Sequence, residues 1–472
     1  MRKIVLPLAT MALVVVPSLS LSGSMPQNAE ALTAKPNIIF ILADDLDKAS
    51  TQKIGRLRKY IGDEGATFHN AFVSESVCCP SRATILRGQY PQNHLVRRNS
   101  PPLGGFQTFH HLGRENSTVA TWLDRKAGYR TAFVGAKYLN GYGKRAYVPP
   151  GWDEWYALSP SALNQNGQIR EYPAGTYQDD LLSRITRDFI RRQKGKDSPF
   201  FVHLSLKAPH EPARPAPRYE DWFKGERAPR TPSFNEQGVS DKPRWVRNRS
   251  LLSSAAKRRI DSKYRDRLRT MAAVGEMAGK LVGALKDANK LNNTYIVFAS
   301  DNGYHQGQNR LEFGKNAAYE EDIRIPLMIR GPGIPAGIKK GAMVLNNDFA
   351  PTFARWAGVR PPAFVDGRSF ASVIDRNPET GPSSWRTAFE VRYWQKPSGG
   401  GTPSYQAVRT TRYLYVEYET GERELYDLAE DPYELRNFYG SADPALIAEL
   451  QSRLDKLRQC SGDSCRIAED GP

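Results

Sequence analysis

At 472 residues, with 40% hydrophobic and 25% charged side chains, the chain has globular composition and enough length for one large domain and a smaller one. These values exclude a disordered polymer. The formal charge of +17 calls for an anionic partner, such as a sulfated glycan or a cell-wall polymer, or else a solvated basic surface. No nucleic-acid-binding motif accompanies it, so nucleic acid is not an expected partner.

The N-terminus starts Met1-Arg2-Lys3 and runs apolar from Ile4 to Leu21, with Pro7 and Pro17 inside the run. A basic start, a short apolar stretch and small residues near Ala29-Glu30-Ala31 predict a signal peptide over 1–31. The cut falls after Ala31 or near 22–24. The prolines and the marginal length argue against a stable membrane span. The protein is therefore expected outside the cell or on the exterior of its envelope. There the tail cysteines Cys460 and Cys465, with four residues between them, predict a disulfide.

Residues 36–45 form a continuous apolar run ending in Asp44-Asp45, the pattern of a strand buried on both faces with a working loop at its carboxyl end. Similar runs recur at 129–135, 199–206, 294–300 and 325–330. Helical patterns lie between them at about 51–63, 117–127, 178–194 and 260–289. The alternation predicts an α/β fold built on a large, mostly parallel mixed sheet sandwiched by helices. Residues 208–255, rich in Pro, Arg and Trp, read as an irregular segment on the rim of a site. After about 384 come short alternating stretches at 405–409, 413–418 and 424–427 and an amphipathic helix at 445–457. They predict a small antiparallel sheet with one helix. The expected division is 1–31 signal peptide, 36–383 catalytic domain and 384–472 C-terminal subdomain.

The chemistry follows the same order. Asp44 and Asp45 end the first strand, and Asp301 and Asn302 end the strand 294–300. Four oxygen-bearing side chains at two strand ends suit a hard divalent cation, although each pair alone also reads as a turn. Ser76–Gly88 reads as a loop entering a short helix, with Pro80 at its first helical position and Gly88 as its stop. Cys78 then sits just ahead of a helix N-terminus, where an anion is favoured, and Arg82 falls on the first turn and can reach back towards it. Lys137 stands at the mouth of the loop after 129–135. His210, in Ala208-Pro209-His210, follows the strand 199–206 and suits proton donation to a leaving oxygen.

Cys78-x-Pro80-Ser81-Arg82 followed by a small helix and Gly88 resembles the signature of type I sulfatases. In that family the first cysteine of the motif is oxidised to formylglycine by a separate formylglycine-generating enzyme. The resemblance implies an alkaline-phosphatase-like fold, sulfate-ester hydrolysis and a bound calcium ion. It assigns Asp44, Asp45, Asp301 and Asn302, with residue 78, to the metal. It assigns Arg82, Lys137, His210 and Lys315 to sulfate and the leaving group. Formylglycine hydrate would take the sulfuryl group on one hydroxyl, and loss of a proton from the other would expel sulfate. Lys137-Tyr138-Leu139-Asn140 and the loop carrying His305 look like the branch of N-acetylglucosamine-6-sulfatases and extracellular endosulfatases. In that branch His305 would touch the sugar or brace its loop. Leu139 and Ala136 stand where many sulfatases have histidine and glycine, Arg87 replaces a usual threonine, and Gly314 departs from some members of the branch. A sulfated sugar is the expected substrate, 6-O-sulfated N-acetylglucosamine first. A phosphonate or phosphate ester hydrolase, or a non-catalytic binder of sulfated glycans, are the alternatives. Cys79 is the bystander thiol.

Overall fold

The structure is a computed structural model. It describes Met1 and residues 34–143, 145–374, 385–395 and 401–471. The expected signal peptide and the 383/384 boundary lie outside the described residues. No helix among the described residues is long and apolar enough to cross a membrane.

Asn37–Ala43 is buried along its whole length. Alternate side chains serve opposite layers, as the two-residue period of a strand requires. Ile38, Phe40 and Leu42 join one core with Phe349 and Phe353, while Ile39, Ile41 and Ala43 join the other with Leu181, Tyr264 and Met271. Burial on both faces explains why the run is apolar without alternation.

The strand lies near the middle of a ten-stranded sheet. Thr294–Ser300 and Phe200–Ser205 flank it in parallel, and Arg130–Gly135 and then Glu154–Leu158 continue the parallel set. The register sets Ala43 opposite Ser300, and Ser205 opposite both Leu42 and Gly135. The loops that follow these strands therefore leave the sheet at one level. Leu327–Arg330 pairs antiparallel with Thr294–Ser300, because the chain returns without a full crossover helix. The hairpin Ala162–Gln165/Gln168–Glu171 extends the other edge.

One face is covered by Gln178–Arg191 and the 34-residue helix Ser254–Asp287, whose start is capped by Ser253 accepting from the Ala256 N–H at 3.1 Å. The expected helix over 51–63 is instead three short pieces, Ala49–Lys53, Gly55–Leu57 and Arg58–Gly62. Residues 208–255 are mostly irregular, with only the short helices Pro217–Tyr219 and Arg244–Arg247. The C-terminal region is a four-stranded antiparallel meander covered by Pro444–Gln459. Its first strand, Ala388–Tyr393, was not expected. Its Glu390 and Arg392 read as surface charge but are buried and paired with each other. Cys460 and Cys465 form the expected disulfide.

Candidate active site

Asp44 and Asp45 leave the first strand directly into the site. Asp45 has a left-handed backbone, φ 67°, unusual for a residue with a side chain. It is held there by its own N–H donating to Asp301 Oδ1 at 3.0 Å. The next residue helps, with the Leu46 N–H donating to Ser300 Oγ at 2.9 Å. Asn302 Nδ2 donates to Asp45 Oδ1 at 2.8 Å. The two strand ends are thus stitched into one unit.

The helix Cys78–Arg87 is buried along its whole length and stops at Gly88, φ 69°. It starts two residues before Pro80, which keeps the proline in the first turn, where its missing N–H costs no helical bond. Cys78 Sγ lies 3.4 Å from Asp44 Oδ1, 3.7 Å from Asp45 Oδ1 and 2.6 Å from Lys315 Nζ. Lys315 Nζ also contacts Asp45 Oδ1, and Asn302 Oδ1 at 3.3 Å. Lys137 Nζ pairs with Asp44 Oδ2 at 2.6 Å.

Arg82 turns its guanidinium towards the strand ends. Nε donates to Asp301 Oδ2 at 2.7 Å, and Nη1 to Lys137 O at 2.7 Å and Ser205 Oγ at 2.6 Å. Nη2 stands 3.8 Å from Asp44 Oδ2. It ties the helix to three strand ends at once. His210 Nε2 lies 3.7 Å from Asp45 Oδ2, and its Nδ1 contacts Glu211 O at 2.6 Å. A carbonyl oxygen only accepts, so Nδ1 carries a proton in both charge states and Nε2 is the nitrogen that can exchange one.

His305 stands beside this group. Its Nδ1 is 2.9 Å from Asp322 Oδ1, and its backbone bridges to Gly314, next to Lys315. Gly314 has φ 147°, and a Cβ there would come within 3.2 Å of His305 Nε2. The positive φ favours glycine, and a Cβ would also press on the His305 ring. His305 braces the loop that delivers Lys315.

The electrostatics are tight. Burial pushes Asp44 upward, but Lys137 and then Arg82 outweigh it and hold the carboxyl far below its usual range. Lys315 does the same for Asp45 against burial. Burial, then Asp44, raise Asp301 to about 6 against the pull of Arg82. Burial, followed by Asp44, pushes the Cys78 thiol well above its ordinary value. Burial likewise raises the free thiol of Cys79 to about 12.

Three participants escaped the sequence reading. Ser205 ends a buried strand and looks like any small core residue. Asp322 accepts from His305 and from the Ala317 N–H at 2.8 Å. Arg267 lies in the buried stripe of Ser254–Asp287. It donates to Asp45 O, to Pro209 O at 3.2 Å, and sits 4.0 Å over the Tyr304 ring. Its signal was a charge amid the buried positions Tyr264, Leu268 and Met271.

Among the described residues, one group of metal-ligating side chains has its ligand atoms within 4.8 Å of one another: Asp44, Asp45, Cys78 and His210. Asp301 and Asn302 join it through the hydrogen bonds above. The set attracts positive charge, since Lys315 touches Asp45, Asn302 and Cys78 together. Carboxylate and amide oxygens dominate, which fits a hard divalent cation.

The Sulfatase family model matches residues 36–359. A second model, N-sulphoglucosamine sulphohydrolase C-terminal, matches 308–460. The N-acetylglucosamine-6-sulfatase of Capra hircus is 33% identical over 92% of this chain and 85% of its own. A solved structure of a protein in complex with its substrate D-glucosamine-2-N,6-O-disulfate superposes with a TM-score of 0.79 at 24% identity, covering 92% of this chain and 99% of that one. The phosphonate monoester hydrolase of Agrobacterium radiobacter superposes with a TM-score of 0.71 at 22% identity, covering 90% and 95%. Both likenesses establish the shared fold. Strand-end acids, a helix-borne cysteine and converging lysines thus occur in a chain that belongs to the sulfatase family, a family of sulfuric ester hydrolases.

Proposed function

We propose that this protein is an exported hydrolase that releases sulfate from a sulfated sugar, 6-O-sulfated N-acetylglucosamine first, using a formylglycine made from Cys78. The observation that carries the proposal is the setting of Cys78 Sγ, within 3.7 Å of Asp44, Asp45 and Lys315 at a helix start. Burial keeps the unmodified thiol neutral, so it is poorly suited to attack as it stands. It is well placed as the precursor of another group.

A calcium ion held by Asp44, Asp45, Asp301 and Asn302 would draw charge from the sulfuryl oxygens, and formylglycine at position 78 would supply the hydroxyl that takes the sulfuryl group. The chain's own residues do the rest. Lys137 and Lys315 present ammonium groups to the oxygens where negative charge gathers, in a site whose buried walls strengthen the attraction. His210, with Nδ1 fixed on Glu211 O, passes a proton from Nε2 to the leaving alcohol oxygen. Arg82 is a positioning residue that fixes Asp301 and the Lys137 loop. His305 holds the Lys315 loop, and contact with the sugar is its second assigned role.

The family and the Capra hircus relative support the sugar substrate. The 1–31 segment and the Cys460–Cys465 disulfide support export. Mass spectrometry of the peptide ending at Arg82 tests the nucleophile. Formylglycine lowers its mass by about 18 Da, and an unmodified cysteine in fully active protein would sink the mechanism. Turnover of an aryl sulfate against an aryl phosphodiester tests the reaction, and preference for the phosphodiester would overturn it. Chelation followed by calcium or magnesium tests the metal.

A further inference from the structure

A cavity of about 970 Å³ opens from Asp44, Lys137 and His210. Pockets that enclose drug-sized ligands run to roughly 300–1,000 Å³, so the space exceeds what one sulfated ring needs. Its walls come from three places. The loop after Arg130–Gly135 forms one and the loop after Phe200–Ser205 another. The third is the hairpin at the sheet edge with the turn that follows it. That turn is rigid: Tyr172 OH donates to Ser159 O at 2.6 Å, and Gln178 Nε2 donates to Tyr172 OH at 2.9 Å.

Two cations on the second wall stand out. Lys207 and Arg214 line the cavity, and neither side chain makes an ion pair or hydrogen bond with a described residue. Their neighbours behave differently. Arg218 is held by Asp180 at 2.6 Å and Glu276 at 2.7 Å, and Lys263 faces Glu211 at 3.9 Å. The fold neutralises cations just outside this wall and leaves Lys207 and Arg214 uncommitted beside a space that opens onto Lys137 and His210.

The geometry points to a second anion subsite, in which Lys207 and Arg214 take another negatively charged group of the same glycan. This rests on the sulfated-sugar reading above and deepens it: the preferred substrate carries at least two anionic groups. The shared chemistry is an oxyanion, either a second sulfate on the same ring or the carboxylate of an adjoining uronic acid. Both fit an ammonium and a guanidinium on a partly exposed wall.

The test follows sulfate release from four substrates: an aryl sulfate, N-acetylglucosamine-6-sulfate, D-glucosamine-2-N,6-O-disulfate, and a disaccharide joining a uronic acid to 6-sulfated glucosamine. Wild type is compared with Lys207→Gln, Arg214→Gln, the double variant and Lys207→Arg. In the double variant, kcat/KM for one doubly charged sugar, taken as a ratio to the singly charged sugar, falls by about tenfold or more, chiefly through KM. Lys207→Arg keeps the ratio, which separates lost charge from lost fold. The substrate that loses most identifies the second anion. An unchanged ratio for both doubly charged sugars in the double variant overturns the subsite. Wild-type turnover of the aryl sulfate but of no sugar sulfate overturns the sugar reading itself and takes the subsite with it, a result visible before any variant is made.

Discussion

Arg386 and Lys315 are cations at two buried charge clusters, and they meet their acids differently. Arg386 is fully enclosed. It binds Asp348 with two nitrogens, at 2.5 and 2.9 Å, and its Nε stands 2.9 Å from Glu469 Oε2 as an ion pair. Asp348 also accepts from the Leu345 and Arg368 N–H groups at 2.9 Å, and Glu469 accepts from Tyr90 OH at 2.6 Å. The acids point where the donors are, and the cluster fastens the C-terminal tail to the large domain. Lys315 instead touches an acid, an amide oxygen and a thiol, beside a second acid that Lys137 holds. Like charges stand together there: Asp44 helps push Asp301 up to about 6. Like charges held this close beside an open cavity suit a site that handles charge during reaction.

The sharpest break in this comparison is Cys78→Ala. Sulfate release should fall by about 10⁴-fold or more, while unfolding shifts by only about 1–2 kcal/mol. Steady-state kinetics and urea melts on one preparation check both; retained turnover would remove Cys78 from the mechanism. Arg386→Met should reverse the pattern. It leaves Asp348 and Glu469 buried without their cation, a cost of about 3–5 kcal/mol in stability, with KM unmoved in the protein that still folds. A melt unchanged from wild type would show that the cluster is not structural.

His210→Gln should lower kcat by about 10²-fold on a sugar sulfate and less on a nitrophenyl sulfate, whose leaving oxygen needs no proton. Equal losses on both would remove the acid role.

A further test concerns His203, which has no counter-ion among the described residues. It lies among Phe40 and Phe133, with ring centroids 5.2 and 5.6 Å away. Burial, then Arg82, push it down to about 3. Between pH 6.5 and 3 the unfolded chain therefore binds a proton that the fold does not, and stability is lost as pH falls through that window. His203→Phe should remove roughly 3 kcal/mol of the difference between pH 7 and pH 4. Urea midpoints at the two pH values measure it, and an undiminished difference would place the acid sensitivity elsewhere.

Some elements were readable because their cause is local. A strand buried on both faces must be apolar throughout, so 36–45, 199–206 and 294–300 announced themselves. A proline near the start and a glycine at the stop marked this helix, although it begins at Cys78, two residues before the expected first position at Pro80. The hairpin at 162–171 and the strand 388–393 were missed, because an edge strand can be polar and a buried pair such as Glu390–Arg392 looks like surface in one dimension. Arg267 was hidden for a related reason: a lone arginine on a helix has no periodic signature of the backbone carbonyls it will meet.

By itself, the sequence determined the family and marked candidates for the site, most of which stand just after a strand or at a helix start. Only the tertiary structure decided who touches whom. It spent Arg82 on Asp301 and the Lys137 loop, set Lys315 against Cys78, turned His305 towards Asp322 and left the Lys207 and Arg214 side chains without partners among the described residues. The reason is physical: the sheet register sets which strand ends share a level, and distance at that level selects the partner of each charge.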